Sequence, residues 1–405
     1  MNADRRLQRL DRHVDTGTET ARAGKEDLHR AFQAGIDGSG GRAGEETDIL
    51  AFRRQRHPWL LFTPSTPERA VHAMARPTIQ PTDGMPGADA DARDATPWAL
   101  HEVPGDLDLA AAETWCRQVA ESHYENFTVA SRIVPARLRQ DLANVYAYAR
   151  WSDDLADEAP SPAAAEEALG AWRRRLEACF AGRPDHPAFV ALADTVRRTG
   201  LGIEPFAHLL DAFDEDQRFD ARGATVRYGT RDDLVAYCRR SADPVGRIVL
   251  GLEECRDPEL VAMSDRICTG LQLVNFWQDV RRDRRAGRVY LPAEDLARHG
   301  VEESALDEPV GTPAFKALIR DEVDWARTLF DAGAPLARRA PRSLRAAIGM
   351  FLAGGRAVAD AIQAIGFDTL RARPSLGRFQ KSRLAARAAV SVAWGTIADR
   401  LRGGR

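Results

Sequence analysis

The sequence predicts an all-α domain, and three observations carry that prediction. Apolar residues recur at spacings of three and four from about Leu107 to Phe367. Alternation with period two is scarce, and Pro, Gly and Asp punctuate the periodic segments where helices would start and stop. No internal repeat of fixed period is present, so a single helical domain over residues 105–370 is expected rather than a solenoid.

The flanks differ from this domain. Residues 1–104 are rich in Arg, Asp, Gly, Pro and Thr, with stretches such as "GIDGSGGRAGEETD", and read as a disordered extension. The apolar patch "HPWLLFTP" within it either docks on the domain or precedes a translation start at Met74 or Met85. Residues 371–405 form a basic tail in which Arg371, Arg373, Arg378, Lys381, Arg383 and Arg387 precede the first acid, Asp399. A helix there, carrying Val390 and Trp394, either rests on a membrane surface or is solvated.

Composition excludes several classes. The net charge is −3, which gives no overall field to attract nucleic acid. The five cysteines, at 116, 179, 238, 255 and 268, show neither a CxxC pair nor metal-ligand spacing, and a reducing cytoplasm fits them best. No apolar run is long enough to span a bilayer and no signal peptide opens the chain, so a cytoplasmic protein is expected, with peripheral contact to the inner membrane face open.

Within the domain, "VYAYARWSDDLADE" (145–158) places four acids in six positions at the end of an apolar helix. Helical spacing puts Tyr146, Arg150, Asp153 and Asp157 on one stripe, with Asp154 and Glu158 beside it. Further on, "CTGLQLVNFWQDVRRDRRAGRVYLP" aligns Gln272, Asn275, Asp279 and Asp283, while Leu271, Leu273, Val274, Phe276 and Trp277 make that helix apolar nearly all round. It should be buried.

Carboxylates four residues apart in a buried site repel one another unless cations lie between them. With oxygen ligands only, Mg²⁺ is favoured over Zn²⁺; it keeps waters and shares its sites with substrate phosphates. Two acidic helices facing each other therefore describe a diphosphate clamp that uses two or three Mg²⁺ ions. Arg150, Arg288 and Tyr290 are candidates to hold phosphate oxygens, although Arg150 is also placed for a structural salt bridge with Asp153 or Asp154. Phe127, Tyr146, Tyr237, Phe276 and Trp277 either line an apolar tunnel that shields a carbocation or pack in the core.

These two segments, together with "RYGTRDDLVAYCRRSADPVGR", resemble the three signature regions of the squalene and phytoene synthase family, the head-to-head prenyl transferases. The likeness runs from about Leu109 to Phe367. It implies an isoprenoid-synthase helical bundle around a central cavity and Mg²⁺-dependent loss of diphosphate from prenyl substrates. By position, Asp153 and Asp157 match the first Asp-rich motif, Asp279 and Asp283 the second, and Gln272 and Asn275 the polar residues before it. Arg150 and Tyr237 match the arginine before the first motif and the tyrosine of the central one.

Two departures narrow the subgroup. Where the central motif commonly reads VAG, this chain has Ser241, Ala242 and Asp243, followed by Pro244, and "HYENFTVASRIVP" brings His123 and Asn126 to a stretch that usually contains serine. Both features are similar to the hydroxysqualene synthases of bacterial hopanoid pathways, the HpnC type. That similarity implies ionisation of presqualene diphosphate and capture of the cation by water, with Asn275, Gln272 or Asp243 positioning the water. Other enzymes would then supply presqualene diphosphate and reduce hydroxysqualene. No GxGxxG follows a strand, and NADPH is not expected, although family members that use it also lack that fingerprint. The alternatives are a condensing sibling acting on two farnesyl diphosphates, or a phytoene synthase, and a non-catalytic helical scaffold.

Overall fold

The computed structural model describes residues 108–122, 134–221 and 228–374. The extension over 1–104, the segment with His123, Asn126 and Phe127, and the tail beyond Pro374 lie outside the described residues. Among the described residues there are helices and no strand. Besides a 3-10 helix at Glu303–Asp307 and a four-residue helix at Leu336–Arg339, they are in chain order α1 (Leu109–Ser122), α2 (Ala136–Asp157), α3 (Pro162–Phe180), α4 (Pro187–Thr199), α5 (Glu204–Ala221), α6 (Arg231–Ser241), α7 (Asp243–Gly251), α8 (Pro258–Arg285), α9 (Ala293–Arg298), α10 (Pro313–Gly333) and α11 (Arg342–Ala364). None is long and apolar enough to cross a membrane.

One local device starts four of these helices. Ser161, His186, Asp257 and Thr312 each accept a backbone N–H from the first turn, and each is followed by a proline. The side chain satisfies an orphan donor, and the proline occupies a first position where no N–H is needed. Helix α6 starts on a full capping box between Thr230 and Asp233.

Each acidic helix is the hub of a group. Helix α2 packs against α1, α3, α4 and α5, and α8 against α6, α7, α10 and α11, while α5 bridges the two groups by packing on both α6 and α7. Helices α2 and α8 share no extensive packing with each other. The 28 residues of α8 carry buried side chains on every side in their second half, as the sequence predicts.

Close approach around α8 relies on glycine. Phe330 of α10 sits between Gly270 of α8 and Gly355 of α11; a Cβ on Gly355 would lie 2.5 Å from Phe330 Cζ and 2.7 Å from Leu271 Cδ2. Overpacking a filled core typically costs about 1–3 kcal/mol. Gly355→Val, which adds this clash to a β-branched penalty in mid-helix, is expected to lower the unfolding free energy by about that amount, as read by urea denaturation.

Candidate active site

At the end of α2, Arg150, Asp153 and Asp157 are all buried, with Asp153 only 2% exposed. Arg150 donates to Asp153 at 2.9 Å and also pairs with Asp154. The structural salt bridge foreseen as one reading of Arg150 is therefore present. Burial pushes the Asp154 carboxyl up to about 7, with Asp153 and Glu158 adding repulsion and Arg150 opposing it. Tyr146, one turn before Arg150, is half-buried, and burial raises its phenol to about 12. The last turn is fixed from α5, where Gln217 donates to the Ala156 carbonyl at 3.0 Å.

On α8, Gln272 is 1% exposed, and its carbonyl oxygen has no hydrogen-bond partner among the described residues. Asn275, Asp279 and Asp283 are half-buried along the same stripe. Asp279 is held by a residue that the sequence reading placed in the basic tail: Arg373 donates from Nη2 to Asp279 Oδ2 at 3.0 Å. Residues 368–374 form a strap across α8, in which Arg281 donates to the Leu370 carbonyl at 2.8 Å and Gln278 to that of Pro374. Asp368 anchors the strap by accepting from Gly311 N at 2.8 Å and pairing with Lys316 at 3.0 Å. Strap and helix together enclose a pocket of about 280 Å³ lined by Asp279, Arg281, Arg282, Arg285, Arg371 and Arg373.

Arg288 and Tyr290, both buried, lie in the segment after α8, where Asp283 and Arg288 line one narrow crevice. That segment pairs with the approach to α6: Ala293 N donates to Tyr228 O at 2.9 Å, and Glu294 N to Gly229 O at 3.0 Å. Arg231 locks the pairing through Asp295 (3.0 Å), Asp321 (3.0 Å) and Glu322 (3.3 Å). The result is an aromatic cluster. Tyr290 stacks on Phe276 with centroids 3.8 Å apart, and Tyr228 and Tyr237 stand 5.6 Å apart beside them. Trp277 is fully buried against Phe276, whereas Tyr146 stands apart on α2.

Helix α6 gives way to α7 at Asp243–Pro244. Asp243 is 2% exposed and accepts from Thr269 Oγ1 at 2.8 Å. Thr269 lies one turn before Gln272 on the same stripe of α8. Sequence reasoning missed a second buried acid, Asp216 of α5, which accepts from the Tyr237 hydroxyl with both oxygens at 3.3 Å. Its signal lay in the spacing, because Leu209, Phe213 and Asp216 follow one another by four and three, and the first two are core residues.

Two sets of buried or half-buried carboxylates, each holding an arginine, are sites that call for positive charge. Their donors are all oxygen, which suits a hard divalent cation. Among the described residues, no three His, Cys, Asp or Glu side chains converge as a cage.

Burial pushes the Asp243 carboxyl up to about 8, with the Asp265 charge adding and the Thr269 hydrogen bond opposing. The folded chain therefore binds a proton here that the unfolded chain releases near pH ~4, and stability declines as pH rises from about 4 through about 8. Asp243→Asn, which stays neutral and keeps an acceptor for Thr269, is expected to raise the melting temperature relative to wild type. The gain should be small at pH ~5 and largest above pH ~8 in calorimetry.

Residues 120–380, which include both acidic segments and the central Tyr237 motif, match the squalene/phytoene synthase family model. The 15-cis-phytoene synthase of Synechococcus elongatus is 31% identical over 287 residues, covering 67% of this chain and 91% of that protein. The crystal structure of squalene synthase HpnC from Alicyclobacillus acidocaldarius is 40% identical, covers 66% of this chain and 97% of that one, and superposes with a TM-score of 0.60. A dehydrosqualene synthase structure, 24% identical and covering 70% of this chain and 98% of that one, shares the fold with a TM-score of 0.61. The acidic helices that organise this fold are thus set in a sequence and an architecture of one lineage, and the chain belongs to the squalene/phytoene synthase family.

Proposed function

We propose that this member of the family ionises presqualene diphosphate and captures the rearranged cation with water, giving hydroxysqualene. The observation that carries this reading is Asp243, a buried carboxyl held by Thr269 where α6, α7 and α8 meet. An enzyme that releases a hydrocarbon gains nothing from a buried acid there, since burying one costs several kcal/mol. An enzyme that orients water needs a polar group beside apolar walls. The similarity to the HpnC structure supports the same branch.

Asp153, Asp154, Asp157 and Glu158 on one side and Asp279 and Asp283 on the other would hold Mg²⁺, which when bound supplies Lewis-acid activation of the diphosphate. Arg150, Arg288 and Tyr290 would bind the departing anion. Tyr228, Tyr237, Phe276 and Tyr290 present the π-faces of a contiguous cluster, and such faces stabilise a cation where water is excluded. Gln272 brings a buried carbonyl oxygen with no partner among the described residues, which together with Asn275 and Asp243 would position one water.

A second reading, condensation of two farnesyl diphosphates or phytoene synthesis, is favoured by the phytoene synthase relatives. Incubation with Mg²⁺ and no NADPH separates the two. Hydroxysqualene from presqualene diphosphate is the expected product, whereas presqualene diphosphate or a hydrocarbon formed from farnesyl diphosphate would move the chain to the condensing branch. Asp279→Ala is expected to slow diphosphate release by about 10²-fold or more, the size of effect seen when an electrostatic stabiliser of the transition state is lost. Wild-type release rates in that variant would remove α8 from the clamp, and loss of Mg²⁺-dependent release in the unaltered chain would favour a scaffold.

A further inference from the structure

Helix α5 carries four acids in six positions, at 211, 214, 215 and 216. Three of them have arginine partners: Asp211 and Asp214 share Arg173 at 2.8 and 2.9 Å, and Glu215 pairs with Arg240. Asp216 differs. It points inward, is 2% exposed, and its hydrogen-bond partner among the described residues is the Tyr237 hydroxyl, 3.3 Å from each carboxylate oxygen. A phenol compensates a buried carboxylate far less than an arginine does, so packing alone gives no reason for an acid here.

The surroundings supply one. Tyr237 is itself 2% exposed and stands in the aromatic cluster with Phe276, Tyr228 and Tyr290. Beside it, the buried Tyr228 hydroxyl has no hydrogen-bond partner among the described residues, as expected where a water or a substrate group completes the set. Burial holds the Tyr237 proton well above the usual phenol range, so the resting hydroxyl donates to Asp216 and turns its oxygen lone pairs away from the carboxylate.

We infer that Asp216 is a positioning residue and the terminal proton acceptor of the site, acting through Tyr237. The inference rests on the water-capture reading for the identity of the proton donor. As the water oxygen bonds to the carbocation, one water O–H bond breaks and its proton passes to the Tyr237 oxygen. The Tyr237 O–H bond breaks in turn, and that proton passes to an Asp216 oxygen. The products are the alcohol, a neutral Tyr237 and a protonated Asp216, which returns its proton to solvent before the next turnover. Condensation to presqualene diphosphate also releases a proton, so the same pair would serve the alternative reaction.

The test uses the full chain with Mg²⁺ and presqualene diphosphate. Asp216→Asn keeps an oxygen that accepts from Tyr237 but cannot take the proton. Its kcat is expected to fall about 10²-fold with KM within about twofold of wild type, the range for loss of one proton-transfer group. Asp216→Glu should recover part of that loss. Asp216→Asn combined with Tyr237→Phe should be no slower than Tyr237→Phe alone, since the two residues act as one unit. Turnover of Asp216→Asn within about threefold of wild type, multiplicative losses in the double variant, or full activity of Tyr237→Phe would each overturn the relay. So would loss of the folded circular-dichroism signal in Asp216→Asn, because it would assign the carboxylate to stability. The product formed by the unaltered chain decides the water-capture reading separately, and the variants are then compared on whichever substrate that chain consumes.

Discussion

Carboxylates buried at the ends of two apolar helices can stay charged only if positive charge is brought to them, and much of this fold is arranged around that demand. Taking an ion out of water costs several kcal/mol, and like charges four residues apart add repulsion. On α2 the compensation is local: Arg150 is on the same helix, within three and four residues of Asp153 and Asp154. On α8 it comes from Arg373, 94 residues after Asp279. The second acidic motif is therefore electrostatically complete only when the strap over 368–374 is docked, and the strap depends on Asp368, Arg281 and Gln278.

The scaffold supports this by making each acidic helix a hub and joining the hubs through α5, α6 and α7. That joint is where polar groups enter the core. Gln217 ties α5 to the end of α2, Asp216 meets Tyr237 of α6, and Asp243 of α7 meets Thr269 of α8. Two helices that share no extensive packing are thus joined through a third, whose Gln217 reaches α2 and whose Asp216 reaches α6, which in turn packs on α8. The loop after α8 is fixed independently, by its backbone pairing with 228–229 and by the arginine network around Arg231.

The sequence made the helical class legible, along with both acidic stripes and the burial of α8, because each is a matter of spacing within one segment. What it concealed depends on tertiary meeting. Asp216 sat in an acidic run that reads as solvated, and only its register with Leu209 and Phe213 distinguishes it from Asp214 and Glu215. Arg373 read as the first turn of a basic tail, and nothing local pairs it with Asp279. Tyr290 was singled out as a phosphate ligand; that its ring stacks on Phe276 follows from the pairing of two distant loops. Arg150 was legible as either ligand or salt bridge, and the structure shows the salt bridge.

Along α8 the compensating partners change character. Near Asp279 and Asp283 the surroundings are guanidinium groups: Arg373, Arg281, Arg282 and, in the crevice, Arg288. About 15 Å nearer the start of the helix, at a rise of about 1.5 Å per residue, Thr269 meets Asp243, and between these levels Phe276 meets the cluster of Tyr237 that holds Asp216. There the buried acids are satisfied by hydroxyl groups. The distinction suits the proposed chemistry. A departing diphosphate is stabilised by arginine, but an arginine beside the carbocation left behind would repel it. Asp216, whose partner is the Tyr237 phenol, is placed as an acceptor for the proton that water capture releases. Placing arginines at one end of the helix and hydroxyls at the other allows a single apolar wall to serve both ionisation and capture.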